Sequence, residues 1–345
     1  MFTVKQLAQM AGVSPATVSH VLHGREHKMK AATLEKVRAV IAETKYVPHM
    51  GGRLLGNHGS RLIGVILTWE RRDEQNIVQD PFFSEIIGAL EREIRRAGYF
   101  MLLYTSASVE ENIRMAESWN VEGLIVLGSL WDDCTRFMRN TRIPLVFIDS
   151  YFNDDGLSYV NVGLEDRRGG ALMAEYLIGR GHRRIAFLAG GEIALGADYE
   201  RLCGCTDALE AAGLAPALYI PLHYKSDARR AFLRDFAARG MAGCTALFFA
   251  SDFYAIDALT TFGDCGIHAP QDVSIAGFDG NIFSVQCRPR LATVRQDVSL
   301  KAFHAIKQAL ALIKGEPLAE RIVRLPVTLC EGESVGKLRS SEQRA

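Results

Sequence analysis

The chain has 345 residues, 48% hydrophobic and 23% charged, a length that exceeds one ordinary domain and indicates two or more folded units. Forty basic and forty acidic side chains cancel, and a neutral charge spread evenly would argue against a nucleic-acid-binding protein. The charge is uneven, however. Residues 1–60 hold eight basic and three acidic side chains, which gives 8 − 3 = +5, so the other 285 residues carry −5. This asymmetry predicts two tasks on one chain.

Several protein classes are disfavoured by simple features of the sequence. The N-terminus lacks a basic stretch followed by an apolar segment, so we expect no secretory signal. Apolar runs stay well short of the roughly 20 residues that span a bilayer, so we expect no membrane partner. The seven cysteines are scattered without Cys-x-x-Cys spacing. We therefore expect reduced thiols in a cytoplasmic protein, with neither a zinc site nor a cofactor.

The first elements of the chain are two short helices joined by a tight turn. Thr3 and Gln6 have the spacing of a capping box, in which each side chain accepts a hydrogen bond from the backbone of the other. Gly12 is suited to end this first helix. Ser14 followed by Pro15 predicts the start of a second helix, because Ser caps well and Pro is tolerated in the first turn.

A third helix is predicted over residues 31–45, and three short helices with one tight turn are typical of a helix-turn-helix. The second helix would turn Val18 inward and present small or polar side chains outward, namely Pro15, Ala16, Ser19 and His20. Small residues permit close approach to the floor of a DNA groove, and His20 can hydrogen-bond a base edge. The alternative is a three-helix module that binds protein, which the charge of +5 disfavours.

These residues resemble the lactose-repressor (LacI/GalR) family of bacterial transcription regulators. The motif residues are Val4-Lys5-Gln6-Leu7-Ala8, Ala11-Gly12-Val13-Ser14, Thr17-Val18-Ser19, Val21-Leu22, Gly24 and Tyr46-Val47-Pro48. The resemblance continues through nearly the whole chain. It implies binding to double-stranded, pseudo-palindromic operator DNA by Thr3, Ser14, Pro15, Ala16, Thr17, Ser19, His20, Arg25, Tyr46, Arg53 and Leu55.

A hinge is predicted over residues 48–60, between a DNA-binding head at 1–47 and a body at 61–345. Read alone, this glycine-rich segment is a flexible linker. The resemblance implies instead a helix that folds on DNA, with Leu55 wedged into the minor groove and Leu54 as the fallback. Gly51 and Gly52 depart from the family pattern, and each Gly costs about 0.5–1 kcal/mol in a helix. We expect Gly52→Ala to tighten operator binding.

The body alternates short apolar strands with amphipathic helices, which predicts an α/β fold with parallel sheets covered on both faces. The predicted strands include 62–67, 100–104, 123–127, 144–149, 159–162, 184–189, 245–250 and 273–279. The predicted helices are 84–97, 166–178, 201–212, 252–262 and 299–313. We expect two doubly wound parallel-sheet subdomains behind the all-α head.

The resemblance implies that these subdomains are periplasmic-binding-protein-like lobes joined by three crossovers. An N-subdomain is expected at about 61–161 and 294–325, and a C-subdomain at about 162–290 and 328–345. The crossovers are expected near 161–163, 290–294 and 325–328, so that the helix at 299–313 returns to the first lobe. The polar segment at 70–79 is expected to be a solvated loop or a cap over the pocket.

Ligands of such sheets bind beyond the carboxyl ends of the strands. The residues there, and their match to the family's effector pocket, select Phe82, Phe83, Asp149, Arg201, Tyr224, Ser251 and Asp279. Acids, an arginine and aromatic rings in one cleft are typical of a sugar site. Two alternatives stay open: Arg201 and Asp279 as a structural ion pair, and Asp149 or Asp252 as helix N-caps.

The preferred interpretation is a sugar-responsive transcriptional repressor, active as a homodimer and nucleoid-associated when bound to its operator. The short polar tail lacks leucine heptads, which favours a dimer over a tetramer. A purine or nucleoside effector is the first alternative, disfavoured because Leu195 and Ala197 are apolar. A solute-binding protein would not need the basic head, and an enzyme would need a catalytic motif that the sequence lacks.

Overall fold

The computed structural model describes residues 2–22, 29–46, 59–68, 77–151 and 158–338. The chain divides into two units, residues 1–60 and 61–345, and each is described by itself. Arg25, Arg53, Leu55 and almost all of the predicted hinge lie outside the described residues. Among the described residues, no helix is long and apolar enough to cross a membrane.

The described residues of the first unit form three helices: α1 (Val4–Ala11), α2 (Pro15–Leu22) and α3 (Ala31–Thr44). The predicted capping box is confirmed, because Thr3 Oγ1 accepts from the Gln6 amide and Gln6 Oε1 accepts from the Thr3 amide. Gly12 ends α1 at φ +65°, a left-handed conformation that glycine adopts without strain. The core of the unit consists of Leu7, Ala8, Ala11, Val18 and Val37.

In the second unit, the part of the chain that the structure describes forms two six-stranded sheets. The strand order of the first sheet is β11-β5-β4-β3-β1-β2, and all its strand pairs are parallel. Its strands are β1 (Leu62–Leu67), β2 (Phe100–Thr105), β3 (Gly123–Leu127), β4 (Leu145–Ile148), β5 (Asn161–Leu164) and β11 (Ile322–Leu325). Its helices are α4 (Pro81–Arg96), α5 (Val109–Ser118), α6 (Trp131–Asn140) and α12 (Val298–Lys314).

The strand order of the second sheet is β12-β10-β9-β8-β6-β7, and only β12 runs antiparallel to its neighbour. Its strands are β6 (Ile185–Gly190), β7 (Leu218–Leu222), β8 (Ala246–Phe249), β9 (Ser274–Asp279), β10 (Ala292–Arg295) and β12 (Thr328–Cys330). The helices of this lobe are α7 (Asp166–Gly179), α8 (Ala197–Ala211), α9 (Ser226–Ala238), α10 (Asp252–Asp264) and α11 (Ile282–Gln286). The predicted α/β class with two parallel sheets is confirmed.

The chain passes between the lobes three times: after β5, after β10 and between β11 and β12. The first two passages come slightly later than expected, because β5 stays in the first sheet to Leu164 and β10 stays in the second sheet to Arg295. Helix α12 then packs against α4, β3 and β4, in the first lobe. Of the predicted 70–79 segment, Ile77–Gln79 forms one 3₁₀ turn and the rest lies outside the described residues.

Three local predictions were wrong. Helix α4 begins at Pro81, not at residue 84, because Asp80 caps it by accepting from the Phe82 amide. Helix α8 begins at Ala197, so Arg201 lies one turn inside the helix and does not open it. Asp252 is not an N-cap: Ser251 caps α10 by accepting from the Tyr254 amide.

Helices α7 and α8 cross at two glycines. A Cβ atom on Gly170 would lie 2.0 Å from the Arg201 carbonyl oxygen, and one on Gly204 would lie 1.7 Å from the Arg167 carbonyl oxygen. The two backbones therefore touch, and larger residues would force the helices apart. The close crossing brings Asp166, at the start of α7, within reach of Arg201 on α8.

Candidate functional site

A cavity of about 220 Å³ lies where the carboxyl ends of strands from both sheets meet. All seven residues that were predicted to bind effector line it: Phe82, Phe83, Asp149, Arg201, Tyr224, Ser251 and Asp279. The strand-end rule and the match to the family's effector pocket therefore selected residues that are up to about 200 positions apart in the sequence and that surround one space. Their contact with an effector remains a prediction.

Arg201 is buried in the wall of the cavity, and protein groups already hold its guanidinium. Nε donates to Asp166 Oδ1 at 2.7 Å, and Nη1 donates to the Ala250 carbonyl at 2.7 Å. The guanidinium stacks 3.7 Å from the centre of the Phe278 ring. The alternative of an Arg201–Asp279 ion pair is wrong, because the acids within 4 Å of the guanidinium are Asp166 and, at 3.9 Å, Asp198.

A hydrogen-bonded chain of four residues runs from one lobe to the other behind the cavity. The buried Lys301 ammonium donates to both oxygens of Asp149, at 2.8 and 2.6 Å, and to Gln296 Oε1 at 2.6 Å. The amide nitrogen of Gln296 in turn donates to Asp279 Oδ1 at 2.8 Å. Asp149 is thus held by an ion pair rather than by a helix, so the N-cap alternative for Asp149 is wrong.

Asp149 and Asp279 both have a backbone conformation that is unusual for residues other than glycine. Their φ angles are +54° and +119°. Asp149 directly follows the buried strand β4, and Asp279 is the last residue of the buried strand β9. Lys301 holds the Asp149 carboxylate by hydrogen bonds, and Gln296 holds the Asp279 carboxyl. Such strain costs of order 1–3 kcal/mol and concentrates at functional sites, which supports a binding role for this edge of the sheets.

Burial shifts the pKa of two acids in the second lobe. Burial raises the pKa of Asp279 well above its ordinary value, although the nearby Arg201 opposes the shift. Burial likewise raises the pKa of Asp252 to about 7, against the hydrogen bond that it accepts from the Thr293 hydroxyl at 2.6 Å. The shift favours the protonated form of the Asp279 carboxyl, and a protonated carboxyl can both donate and accept a hydrogen bond.

Aromatic rings form the apolar part of the wall. The rings of Phe82 and Phe83 meet edge to face with centroids 5.3 Å apart, and the Lys301 ammonium lies 5.1 Å from the Phe82 centroid. The Tyr224 hydroxyl donates to the Gly190 carbonyl at 2.9 Å, which fixes its ring at the end of β6. Ser251 lines the same cavity with its hydroxyl engaged as the cap of α10.

In the head, the predicted DNA-contacting residues of α2 lie on its accessible side. Ser14, Pro15 and Ala16 are exposed, whereas Thr17, Ser19 and His20 are half-buried. Ser14 Oγ accepts from the Thr17 amide at 3.1 Å, which confirms the predicted N-cap. Thr3 is exposed beside α1, and Tyr46 is half-buried against the core.

Comparison with known proteins identifies the family. Residues 3–49 match the model described as bacterial regulatory proteins, lacI family. Residues 64–235 match periplasmic binding proteins and sugar binding domain of LacI family, and residues 174–335 match a periplasmic binding protein-like domain. The transcriptional repressor PurR of Pasteurella multocida is 30% identical over 315 residues, covering 89% of this chain and 90% of its own. The chain belongs to the lacI family of bacterial regulatory proteins.

Other members of the lacI family match the full length of the chain. The transcriptional regulator GalR of Escherichia coli K12 is 29% identical over 342 residues, which cover 97% of this chain and 96% of that protein. A lac repressor dimer bound to operator and the anti-inducer ONPF is 25% identical, with a TM-score of 0.84 over 97% of this chain and 99% of that chain. A CelR–cellobiose complex is 26% identical, with a TM-score of 0.70 over 97% and 100%. These relatives are transcription regulators rather than enzymes.

Three residues that organise the cavity of this lacI-family chain were not predicted: Asp166, Gln296 and Lys301. One signal for Lys301 was available, because it lies on the same face of α12 as the buried Val298, Ala302 and Ala305. A lysine on an apolar helix face needs a buried partner. The sequence alone did not indicate which acid, since Asp149 is 152 positions away.

Proposed function

We propose that this chain is a transcriptional repressor whose affinity for operator DNA is controlled by a sugar bound in the cavity between the two lobes. The observation that carries the proposal is the cavity itself, in which polar anchors and aromatic rings converge, on a chain that also has a helix-turn-helix head. The proposed division is a head at 1–47, a hinge at 48–60 and an effector-binding body at 61–345. The N-subdomain comprises about 61–161 and 294–325, and the C-subdomain about 162–290 and 328–345.

The chemistry of the cavity suits a carbohydrate. Asp149 and Arg201 offer an acceptor and a donor for vicinal hydroxyls, and the carboxyl of Asp279 offers a further polar contact. The rings of Phe82 and Tyr224 supply faces for the C–H surface of a sugar. Effector binding would change how the lobes close and thereby the spacing of the two hinges in a homodimer, which couples the cavity to DNA affinity.

The homologues support the proposal of a homodimer that binds operator DNA. The lac repressor structure is described as a dimer bound to operator, and the CelR structure as a complex with cellobiose. We propose by analogy a homodimer on a pseudo-palindromic operator, since two heads read two half-sites. We propose further that the chain is not an enzyme, and that it acts in the cytoplasm, on the nucleoid when it is bound to its operator.

A purine or nucleoside effector is the second candidate. The names of several relatives, among them the repressor PurR of Vibrio atlanticus at 29% identity, favour it. The cavity wall formed by Ile193, Leu195 and Ala197 disfavours it, because these side chains offer no hydrogen bond to a base edge.

The DNA-binding part of the proposal is tested by selecting operator sequences from a random DNA library with the full chain. We expect an enriched pseudo-palindrome whose affinity falls steeply with salt, because phosphate contacts dominate binding. Enrichment of a single asymmetric half-site would contradict the dimer, and absence of enrichment would contradict the repressor.

The effector part is tested by titrating sugars and nucleosides into the operator complex. We expect a sugar to change operator affinity, and Tyr224→Ala to weaken that response about tenfold or more while it leaves operator affinity without effector unchanged. Tyr199→Ala is the matched control, because Tyr199 is exposed on α8 and does not line the cavity. A response to nucleosides alone would select the second candidate.

A further inference from the structure

We infer that Arg229 is a positioning residue, which holds Tyr224 and Tyr254 in the wall of the cavity and thereby sets the affinity for the effector. The inference rests on the proposed function and adds to it a residue outside the cavity. Arg229 is buried and is not one of the described residues that line the cavity, whereas both tyrosines are. Arg229 therefore acts on the effector only through these two side chains.

The guanidinium of Arg229 connects helix α9 to two neighbouring segments. Its Nε donates to Asp257 Oδ2, on helix α10, at 2.7 Å. Its Nη1 donates to the carbonyl oxygens of His223 and Tyr224, at 3.2 and 2.8 Å, in the segment between β7 and α9. The backbone of Tyr224 is thus fixed by the helix that follows it, and that helix is itself fixed to α10.

The same guanidinium contacts the aromatic residues in the first turn of α10. It lies 5.1 Å from the centroid of the Tyr254 ring and 5.3 Å from the centroid of the Phe253 ring. A guanidinium over an aromatic face is attracted by the charge distribution of the ring. One buried cation therefore contacts both tyrosines of the cavity wall, the backbone of Tyr224 and the ring of Tyr254.

Two glycines at the end of β6 hold the hydroxyl ends of these tyrosines. A Cβ on Gly190 would lie 2.4 Å from Tyr224 Cε1 and 2.8 Å from the Tyr254 hydroxyl oxygen. A Cβ on Gly191 would lie 2.7 Å from the Tyr224 hydroxyl oxygen. Both side chains thus pack directly against the backbone. Each tyrosine is held at one end by this backbone and at the other by Arg229.

Stability alone does not explain an arginine at this position. Replacing a buried ion pair by apolar residues of similar volume is often neutral or stabilising. What arginine adds is a planar fork of N–H donors, which here reaches three acceptors in two segments. A wall that is ordered before the ligand arrives lowers the entropic cost of binding. We therefore expect the loss of this fork to weaken effector binding without removing any contact to the effector.

The test is isothermal titration calorimetry on the full chain with D-glucose, D-galactose, D-ribose and cellobiose as probes. For a probe that binds the parent chain, we expect Arg229→Lys to weaken binding about fivefold or more, because lysine lacks the fork. Arg230→Lys is the matched control, since the exposed Arg230 donates to the other oxygen of Asp257 at 2.7 Å. Equal weakening by both substitutions would assign the effect to the ion pairs of Asp257 and overturn the inference.

A double-mutant cycle distinguishes positioning from a general loss of stability. If Arg229 acts through Tyr224, Arg229→Lys should weaken binding by a smaller factor when Tyr224→Ala is already present. A general loss of stability would instead give the same factor in both backgrounds. The same factor in both backgrounds would therefore contradict the inference, while the proposed sugar response would stand.

A second measurement needs no ligand. In the chain labelled with 3-fluorotyrosine, Tyr224→Phe identifies the fluorine NMR signal of Tyr224. We expect Arg229→Lys to shift this signal and Arg230→Lys to leave it in place; an unshifted signal in the folded Arg229→Lys protein would overturn the inference. If Arg229→Lys does not fold, Asp257→Asn takes its place, because it removes the acid that holds Arg229, and the same shift is expected.

The two measurements also separate this inference from the proposed function. If none of the four sugars binds the parent chain, the proposed sugar response fails and the effect of Arg229 on affinity fails with it. The fluorine signal of Tyr224 still decides whether Arg229 positions this side chain. If a sugar binds and Arg229→Lys changes neither its affinity nor the signal, only the inference on Arg229 fails.

Discussion

Helix α2 of the head and the cavity of the body present side chains in opposite ways. On α2, the candidate contacts Ser14, Pro15 and Ala16 are exposed, and they depend only on the local cap and turn. In the cavity, the candidate contacts Asp149 and Arg201 are held by partners from distant parts of the chain.

We therefore expect substitutions on α2 to affect binding without affecting stability, and substitutions in the cavity to affect both. A side chain on the exposed face of α2 can be changed with little effect on folding, because its loss leaves no buried group without a partner. In contrast, a change to Asp149, Arg201 or Lys301 should reduce stability, because each of these side chains balances the charge of another. The predictions below test this contrast, from the largest expected effect to the smallest.

The largest effect is expected for Lys301→Met, which leaves Asp149 without its buried counter-ion. Removing one partner of a buried ion pair costs about 3–5 kcal/mol, so the free energy of unfolding of the body should fall by roughly that amount in urea denaturation. Lys307→Met is the matched control on the same helix, because Lys307 is exposed. If both variants lose the same stability, Lys301 is not paired as described. The double change Lys301→Met with Asp149→Asn should recover part of the loss.

Asp252→Asn is expected to flatten the dependence of stability on pH. The native state of the parent protein holds a proton on Asp252 up to about pH 7, whereas a carboxyl in the unfolded chain loses it near pH 4. Native Asp252 thus binds more protons in this window, so it lowers the free energy of unfolding as pH rises, by at most about 1.4 kcal/mol per pH unit. The variant has no such proton to lose. The substitution also removes the repulsion by which Asp252 helps to raise the pKa of Asp279, which flattens the profile in the same direction. Identical pH profiles from pH 4 to 7 would contradict the prediction.

His20→Ala is expected to alter which operator sequences are preferred. If His20 contacts a base edge, its loss should reduce discrimination at one base pair by about 1–3 kcal/mol, without changing the stability of the chain. Binding to a set of operators that differ at single positions measures this. Uniform weakening across the whole set would instead indicate a contact to phosphate.

The smallest effect is expected for Thr3→Val, which removes the capping hydroxyl of α1. Loss of such a cap costs about 1 kcal/mol. Amide hydrogen exchange of α1 should be faster to that extent, whereas the exposed Gln9→Ala on the same helix should change it less. Equal protection of α1 in the parent and Thr3→Val proteins would mean that the capping box does not hold the helix.

The features that could be predicted from the sequence are those set by local motifs or by the periodic spacing of apolar residues. Alternating apolar strands and helices indicated the parallel sheets, and the strand-end rule together with the family resemblance selected seven residues that line the cavity. Helix α6 was not predicted, although Cys134 and Phe137, three positions apart, form its buried face. The start of α4 was placed too late because the capping role of Asp80 before Pro81 was overlooked.

The unpredicted part depends on contacts between distant residues. Asp252 has the sequence position of a helix cap, yet it is buried under β9, where a Cβ on Gly277 would lie 2.3 Å from its Oδ1. The partnership of Lys301 with Asp149, or of Arg201 with Asp166, follows from how helices and sheets pack. The residue pattern within a single helix or strand does not indicate which distant residue will be its partner.

Gln296 connects the two lobes by hydrogen bonds and should therefore favour particular angles between them. Its carbonyl oxygen accepts from Lys301 in the first lobe, and its amide nitrogen donates to Asp279 in the second, while its backbone belongs to the crossover between them. Hinge motion that separates these partners must break one of the two hydrogen bonds, at a cost of about 1 kcal/mol each. We therefore expect the lobes to adopt two arrangements, one with both Gln296 hydrogen bonds formed and one with a bond broken, rather than a continuous range of angles.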